Sequence, residues 1–308
     1  MSLNGRSRFS LMLKEYLLLI RLPNIFTVPP DIIAGYSAAN NPGSMNILDL
    51  IYIIVSSSFL YISGIVLNDI IDIEKDKNER PSRPLASGKV AKKIAFLIVI
   101  VTMSIGNVFA LWVSLQSFFI SLILSCTIIA YDYSLKKTSL GFFTMGLARG
   151  LNILLGSSLA LFVVLQDITI FTRTLFIFSS MVTYVSAITL LSRRETTGTN
   201  STNQALFPFL IIFLAIVIMV LLTLMGFLKS VSLIFLTFFA VTITYTFKQV
   251  TSNDYSPLAI QKAIRNMVIS IVVLDCFFIS GSLGLYYASA VALFAIPSMI
   301  FAKKLYVT

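Results

Sequence analysis

The residues of this sequence best suited to chemistry lie in one short acidic segment. Five of the 13 acidic residues fall within positions 69–79, directly after Asn68. On a helix, Asn68, Asp72 and Asp76 recur every four residues and project toward one face, with Asp69 beside them. Carboxylates gathered next to hydrocarbon are costly unless a cation neutralises them. Mg²⁺ prefers oxygen ligands and is commonly bound by one or two carboxylates with substrate phosphates, so this spacing predicts a Mg²⁺ site.

Two arginines follow these carboxylates in the run Arg80-Pro81-Ser82-Arg83-Pro84. The prolines stiffen the loop, and a planar guanidinium group can bind phosphate oxygens at two points. A metal site with such arginines beside it predicts diphosphate binding. Two simpler interpretations stay open: a solvated helix end with ordinary ion pairs, and a basic loop that binds anionic lipid.

The elements that must position these residues are membrane helices. Of the 308 residues, 57% are hydrophobic and 12% charged, with a mean hydropathy of +0.92. Soluble domains are about 45–50% apolar and about 25% charged, which argues against a soluble enzyme. A membrane span needs about 20 apolar residues. Runs of this kind predict helices at 15–38, 47–71, 92–112, 115–133, 141–164, 172–191, 205–227, 230–248, 264–283 and 286–302.

We therefore expect an all-α polytopic membrane protein of about nine to ten transmembrane helices. The lower number applies if Gly281 and Gly284 bend a single helix rather than separate two. The predicted domain is a single one that covers residues 1–308. No histidine is present, so any chemistry must use carboxylates, Lys, Arg, Tyr, Asn or a metal bound by oxygen.

The distribution of charge predicts the orientation of the helices. Lys and Arg number 23 against 13 Asp and Glu, a net charge of +10. In a soluble protein this excess would suggest nucleic acid as a partner. Here 19 of the 23 cations fall on one side of the predicted spans, as expected for cytoplasmic loops. We therefore expect a multi-pass protein of the cell membrane that binds no nucleic acid and whose polar loops face the cytoplasm. The cations that enter this count near the termini are Arg6, Arg8, Lys14, Lys303 and Lys304.

Polar residues inside the predicted spans are further candidates. Arg149 and Asn152 lie deep in the fifth predicted helix, and Asn24 lies in the first. An arginine inside a membrane needs a partner or a water-filled cavity and by default indicates a functional site. The alternative is a structural ion pair with an acidic residue of the bundle, and Asp275 in a late span is one possible partner.

Together, these segments resemble the UbiA superfamily of intramembrane prenyltransferases. The resemblance covers the chain from about residue 16 to residue 285. The first aspartate-rich signature of the family is similar to Asn68-Asp69-x-x-Asp72-x-x-x-Asp76 and the following Asn78-x-Arg80-Pro81-x-Arg83-Pro84-Leu85-x-x-Gly88. The opening helix of the family resembles the segment Arg21 to Phe26, and its inner loop with Tyr and Lys resembles the segment Tyr131 to Lys137.

The resemblance implies a helical bundle around a central cavity that opens to the cytoplasmic side. It implies Mg²⁺-assisted transfer of a prenyl group from a prenyl diphosphate to a hydrophobic acceptor at the membrane lipid. The acceptor would be aromatic or a glycerol-phosphate lipid, and the Arg-Pro-x-Arg-Pro-Leu-x-Ser-Gly run is similar to archaeal enzymes that use the latter. The predicted catalytic residues are Asp72, Asp76, Lys136 and Arg149. The predicted substrate-binding residues are Asn24, Asn68, Arg80, Arg83, Tyr131, Asn152, Arg193 and Arg194. The predicted metal ligands are Asn68, Asp69, Asp72, Asp76 and Glu195.

The chain departs from the family pattern after the sixth predicted span. A second motif, roughly Asp-x-x-x-Asp, is expected there, but Glu195 is the only acidic residue between Leu191 and Thr199. One interpretation is a single Mg²⁺ at the first motif, with Arg193 or Arg194 in contact with diphosphate. Another is a non-catalytic protein that binds or transports a polyprenyl phosphate. An ion transporter is a third interpretation, although transporters place carboxylates near mid-membrane.

Overall fold

The computed structural model describes residues 12–39, 46–195, 198 and 202–305, and the described residues fold entirely into helices and short connections. Arg6, Arg8 and the side chains of Lys303 and Lys304, which enter the orientation prediction, lie outside the described residues and side chains. The helices are α1 Met12–Leu19, α2 Leu22–Ile25, α3 Val28–Ala39, α4 Ile47–Ile71, α5 Ile73–Glu79, α6 Lys92–Val113, α7 Leu115–Tyr133, α8 Gly141–Ser157, α9 Leu161–Gln166, α10 Ile168–Ser192, α11 Thr202–Leu224, α12 Leu233–Ser252, α13 Pro257–Ile269, α14 Ile271–Ser282, α15 Leu285–Ala292 and α16 Ala295–Leu305.

The predicted all-helical membrane fold is confirmed. Within the described residues, seven helical segments are long and apolar enough to cross a membrane, and an eighth is counted if α1 and the helices after it form one bent span. The structure differs from the predicted spans in that four of them are broken. Residues 141–164 divide into α8 and α9, residues 264–283 divide between α13 and α14, residues 286–302 divide into α15 and α16, and residues 15–38 divide into α1, α2 and α3.

Prolines explain the breaks in the first predicted span. The segment bends by 47° after α1, and α2 begins beside Arg21, whose backbone has a left-handed φ of 48°. Pro23 lies in the first turn of α2, and Pro29 and Pro30 lie in the first turn of α3. A proline lacks the N–H needed inside a helix but is tolerated in a first turn, so each proline favours a new start.

Polar side chains cap three of the long helices at their N-termini. Asn46 accepts hydrogen bonds from the backbone N–H groups of residues 48 and 49 at the start of α4. Ser114 and Asp167 cap α7 and α10 in the same way. These caps satisfy N–H groups that have no partner within the helix, which fixes where each helix begins.

Helix α8 packs tightly between α3 and α10 because small residues line both contacts. A side chain at Gly35 or Gly156 would collide with the backbone carbonyl groups of Ile153 and Ile32, so α3 and α8 nearly touch. A side chain at Gly146 would collide with α10. Such close contacts are typical of helices packed by small residues in membranes, and they fix the position of α8 and of the arginine it carries.

Candidate active site

The acidic segment spans the junction of α4 and α5, where helical spacing is maintained. Asp72 is both the C-cap residue of α4 and the N-cap residue of α5. The backbone N–H of Asp72 donates to the carbonyl of Asn68 at 2.9 Å, that of Asp76 to Asp72 at 2.8 Å, and that of Arg80 to Asp76 at 2.8 Å. Because these bonds join residues four apart, the predicted shared face of Asn68, Asp72 and Asp76 is retained across the junction.

Lys136 reaches this face from the short 3₁₀ turn that follows α7. Its Nζ lies 2.8 Å from Asp72 Oδ1 and donates to Asn68 Oδ1 at 2.9 Å. Asp132 Oδ1, one helical turn earlier, lies 3.9 Å from the same nitrogen. The Lys136 side chain is 10% exposed, so its ammonium group is a largely buried cation surrounded by protein oxygens.

Arg83 holds the other two carboxylates of the acidic segment. Its Nη1 lies 2.7 Å from Asp76 Oδ2 and 3.3 Å from Asp69 Oδ1. Asp69 Oδ1 also lies 2.7 Å from Nη2 of Arg21, and both aspartates are 4% exposed. The loop that carries Arg83 folds back on itself, since the N–H of Val90 donates to the carbonyl of Pro84 at 3.1 Å.

The departure from the family pattern coincides with a contact between two loops. Arg80 Nη2 lies 2.6 Å from Glu195 Oε2, which joins the loop after α5 to the end of α10. Arg193 Nη2 donates to the carbonyl of Thr138 at 2.8 Å. The side chain of Arg194 takes part in neither contact. The structure therefore brings Arg80, Glu195 and Arg193 to the same end of the bundle as the acidic segment.

The protein oxygens of this site match the chemistry of Mg²⁺ but are engaged with protein cations. Within the described residues, no three His, Cys, Asp or Glu side chains are close enough to hold a metal ion. Asn68 and Asp72 nevertheless converge on the ammonium of Lys136, and Asp69 and Asp76 converge on the guanidinium of Arg83. A set of oxygen donors that already surrounds a cation fits Mg²⁺.

A second polar cluster lies deeper in the bundle. Arg149 Nε lies 2.5 Å from Asp31 Oδ2, and its Nη2 donates to the carbonyl of Thr27 at 2.7 Å. Asn152 accepts a hydrogen bond from the Ser57 hydroxyl at 2.8 Å and its Nδ2 lies 3.4 Å from Asp31 Oδ2. In the described residues, no hydrogen bond or ion pair joins Arg149 or Asn152 to the acidic segment.

Two further predicted site residues, Asn24 and Tyr131, lie near these clusters. Asn24 lies on α2, and its carbonyl accepts a hydrogen bond from the Thr27 hydroxyl at 2.8 Å. Tyr131 lies partly buried on the last turn of α7, beside Asp132. Asp275, considered above as a partner for Arg149, is fully buried, and its carboxylate oxygens accept no hydrogen bond within the described part of the chain.

Three residues at these clusters were not among the predicted site residues. Arg21 and Asp31 each contribute one half of an ion pair. Asp132 is buried beneath Lys136. The sequence offered a signal for two of them, because Arg21 and Asp132 lie within the two segments whose resemblance to known motifs is described above.

Comparison with known proteins gives a consistent result. The model of the UbiA prenyltransferase family matches residues 28–260. The digeranylgeranylglyceryl phosphate synthase of Sulfolobus acidocaldarius is 32% identical over 189 residues, which cover 61% of this chain and 68% of that protein. Matches to seven further synthases of the same name cover between 36% and 55% of their lengths.

Solved structures share the fold. A UbiA homolog from Aeropyrum pernix aligns with a TM-score of 0.67 at 13% identity, covering 83% of this chain and 96% of that one. A UbiA homolog from Archaeoglobus fulgidus, bound to GPP and Mg²⁺, aligns with a TM-score of 0.53 at 15% identity, covering 90% of this chain and 99% of that one. At these identities the likeness concerns the arrangement of helices.

Proposed function

The chain belongs to the UbiA prenyltransferase family, and we propose that it uses Mg²⁺ to transfer a prenyl group from a prenyl diphosphate to the hydroxyl group of a glycerol-phosphate lipid. The choice of acceptor is supported by the synthase of Sulfolobus acidocaldarius, whose name gives a glyceryl phosphate product. The observation that carries the proposal is the convergence of Asn68 and Asp72 oxygens on one buried cation, with arginines on the adjoining loop.

The ion pairs of the site indicate how a diphosphate would bind. Lys136, Arg83 and Arg80 are each bound to a carboxylate in the structure. We infer that Asn68, Asp69, Asp72 and Asp76 would hold Mg²⁺. The homolog from Archaeoglobus fulgidus binds GPP together with Mg²⁺. The released cations then have the phosphate oxygens as new partners.

The same groups would assist the reaction. As the bond between the prenyl carbon and the diphosphate oxygen breaks, negative charge builds on the diphosphate, and Lys136, Arg80 and Arg83 stabilise it where it develops. Bound Mg²⁺ supplies further charge stabilisation. The acceptor oxygen forms the new bond to the prenyl carbon, the diphosphate leaves and the hydroxyl proton is lost. The surrounding apolar helices exclude water from the reactive prenyl carbon.

We propose that the second motif of the family is replaced here by an ion pair. Glu195 is the only acidic residue at positions 191–199 and is paired with Arg80, so a single Mg²⁺ at the first motif is the simpler arrangement. Arg193 and Arg194 are proposed to contact the diphosphate from the same loop. Tyr131, Asn24 and Asn152 remain predicted substrate-binding residues, and Arg149 remains a predicted catalytic residue.

The remaining features follow from the membrane fold. We propose that the protein lies in the cell membrane as one domain over residues 1–308, with the loops of the site on the cytoplasmic side, where its cations are concentrated. The prenyl chain and the lipid acceptor then enter from the membrane, and the diphosphate group lies at the polar ends of the helices.

Diphosphate release by the purified protein in detergent tests this function. Farnesyl and geranylgeranyl diphosphate are supplied with Mg²⁺, and with either a glycerol-phosphate lipid that has a free hydroxyl or a pool of aromatic acceptors. We expect release that requires the glycerol-phosphate lipid and is about a hundredfold slower in Asp72→Asn. The control is Glu74→Gln, which removes an exposed carboxylate that pairs with Lys77 on the same short helix.

Other results would redirect the proposal. Release with aromatic acceptors alone would make the acceptor assignment wrong and leave the transferase intact. Tight binding of the prenyl diphosphate with no release under any condition would favour the non-catalytic carrier.

A further inference from the structure

Asp132 differs from every other carboxylate at the candidate site. It is 2% exposed, and its Oδ1 has no hydrogen-bond partner within the described residues. Its nearest cation, the ammonium of Lys136, lies 3.9 Å away. A buried carboxylate oxygen without a close partner is unfavourable, so Oδ1 of Asp132 requires an explanation.

The other carboxylates of the site have close partners. A nitrogen lies 2.7 Å from Asp69, 2.8 Å from Asp72, 2.7 Å from Asp76 and 2.6 Å from Glu195. Asp132 therefore carries the charge that is least compensated within the described part of the site. Its Oδ1 points toward the same ammonium nitrogen that Asn68 and Asp72 contact.

We propose that Asp132 is a further oxygen ligand of the divalent-cation site, acting with Asn68 and Asp72. The three oxygens surround a position that the ammonium group of Lys136 occupies in the present structure. Asp132 adds a carboxylate to the oxygens of Asn68 and Asp72 at this position, and oxygen ligands completed by waters and phosphate are the usual arrangement for Mg²⁺. This inference rests on the proposed function because it extends the same Mg²⁺ site.

The position of Asp132 explains how a single cation site could support the reaction although the second motif has lost most of its carboxylates. The loop after α10 offers only Glu195 among residues 191–199, and that carboxylate is paired with Arg80. Asp132 places an additional negative charge beside the first motif from a different helix, α7. The charge missing from the loop after α10 is thus supplied to the same site by α7.

A role as simple counter-ion of Lys136 agrees less well with the geometry. Lys136 already contacts Asp72 at 2.8 Å and Asn68 at 2.9 Å. Asp132, at 3.9 Å from the same nitrogen, is outside hydrogen-bonding distance. A group placed only to neutralise the lysine would be expected at the shorter distance.

Binding of Mn²⁺ to the full-length protein in detergent, without prenyl diphosphate, tests the inference. Mn²⁺ is a spectroscopic substitute for Mg²⁺, and the decrease in its free electron paramagnetic resonance signal gives the dissociation constant. We expect Asp132→Asn to weaken Mn²⁺ binding about tenfold or more. The thermal-unfolding midpoint without metal is expected to be no lower than that of the wild type, since an unpaired buried charge is removed.

Two further variants make the result specific. Glu74→Gln removes a carboxylate that is 84% exposed and paired with Lys77, and it is expected to leave Mn²⁺ binding unchanged. Lys136→Met removes the competing ammonium group and is expected to tighten Mn²⁺ binding. The second variant tests the site even if Asp132→Asn does not fold, because weaker Mn²⁺ binding in Lys136→Met would overturn the proposal.

The possible failures are distinguishable. Wild-type binding of Mn²⁺ with equal affinity in Asp132→Asn would overturn this inference and leave the proposed transferase unaffected. A lower unfolding midpoint in Asp132→Asn together with unchanged Mn²⁺ affinity would identify Asp132 as a structural counter-ion. Absence of Mn²⁺ binding by the wild type would overturn both this inference and the Mg²⁺ dependence proposed above.

Discussion

Two clusters in this protein use the same residue types in different surroundings. The outer cluster lies at the junction of α4 and α5, and the inner cluster lies around Arg149 and Asp31. At the junction of α4 and α5, loop residues such as Arg80 reach carboxylates while the side chain stays 30% exposed. Deeper in the bundle, Arg149 on α8 pairs with Asp31 on α3, which is completely buried. Charged groups on loops near water can exchange partners when a ligand arrives. Arg149 and Asp31 are fixed on packed helices and have no such alternative, so we predict that this pair stabilises the fold in addition to the catalytic role predicted for Arg149.

The largest effect is expected for Arg149→Met, which tests the structural assignment of the inner cluster. The substitution leaves the carboxylate of Asp31 buried without its cation, and breaking a buried pair costs about 3–5 kcal/mol. We expect a large decrease in the thermal-unfolding midpoint in detergent and little monodisperse protein on size exclusion. The control is the double variant Asp31→Asn with Arg149→Met, since removing both charges of a buried pair is often neutral. A single variant as stable as the wild type would contradict the structural role.

The second largest effect is expected for Asp72→Asn, which should lower the reaction rate and leave the stability of the fold almost unchanged. Loss of a metal-binding carboxylate removes about 3 kcal/mol of transition-state stabilisation, or about a hundredfold in rate. Because the Asp72 side chain is 22% exposed, the unfolding midpoint should change little. Initial rates of diphosphate release and an unfolding scan on the same preparation check both statements. If the variant unfolded as readily as Arg149→Met, the distinction between the two clusters would be wrong.

A smaller effect is expected for Arg83→Lys. Lysine keeps the positive charge but offers a single point of contact, whereas the Arg83 guanidinium spans Asp69 and Asp76. We expect the KM for prenyl diphosphate to rise about tenfold, which corresponds to the loss of one charged hydrogen bond. Lys89→Arg, at an exposed lysine paired with Glu15, is the matched control. An unchanged KM would mean that Arg83 supports the fold of the loop and does not contact the diphosphate.

The smallest effect is expected for Glu195→Gln. Its ion pair with Arg80 is partly exposed, with side chains 27% and 30% accessible, and such pairs contribute less than about 1 kcal/mol. The Mg²⁺ concentration that gives half-maximal rate should stay the same if Glu195 serves Arg80 alone. A clear increase in that concentration would instead establish Glu195 as a metal ligand and a second metal site.

The sequence alone predicted those features of the outer cluster that depend on residues close together in the chain. Helical periodicity alone placed Asn68, Asp72 and Asp76 on one face, and the backbone hydrogen bonds across the junction confirm it. The pair between Lys136 and Asn68 joins residues 68 positions apart. Only the resemblance to a family motif placed that lysine at the site.

The inner cluster shows where sequence reasoning stops. An arginine inside a span predicts a partner or a wet cavity, but Asp31 and Asp275 are both acidic residues within apolar segments. The choice between them depends on how closely α3 and α8 approach, which glycines on both helices determine. The sequence also missed the breaks within four predicted spans, because apolar composition indicates burial in the membrane without indicating where a helix ends.

The left-handed backbone at Arg21 has a consequence for protein engineering. A residue other than glycine or asparagine is disfavoured at a φ of 48°, so a library selected for heat resistance alone should enrich Gly or Asn at this position. Each such variant would lose the guanidinium that holds Asp69 at 2.7 Å. At position 21, selection for thermal stability and selection for activity would therefore favour different residues. Libraries selected for stability and for turnover should diverge there first.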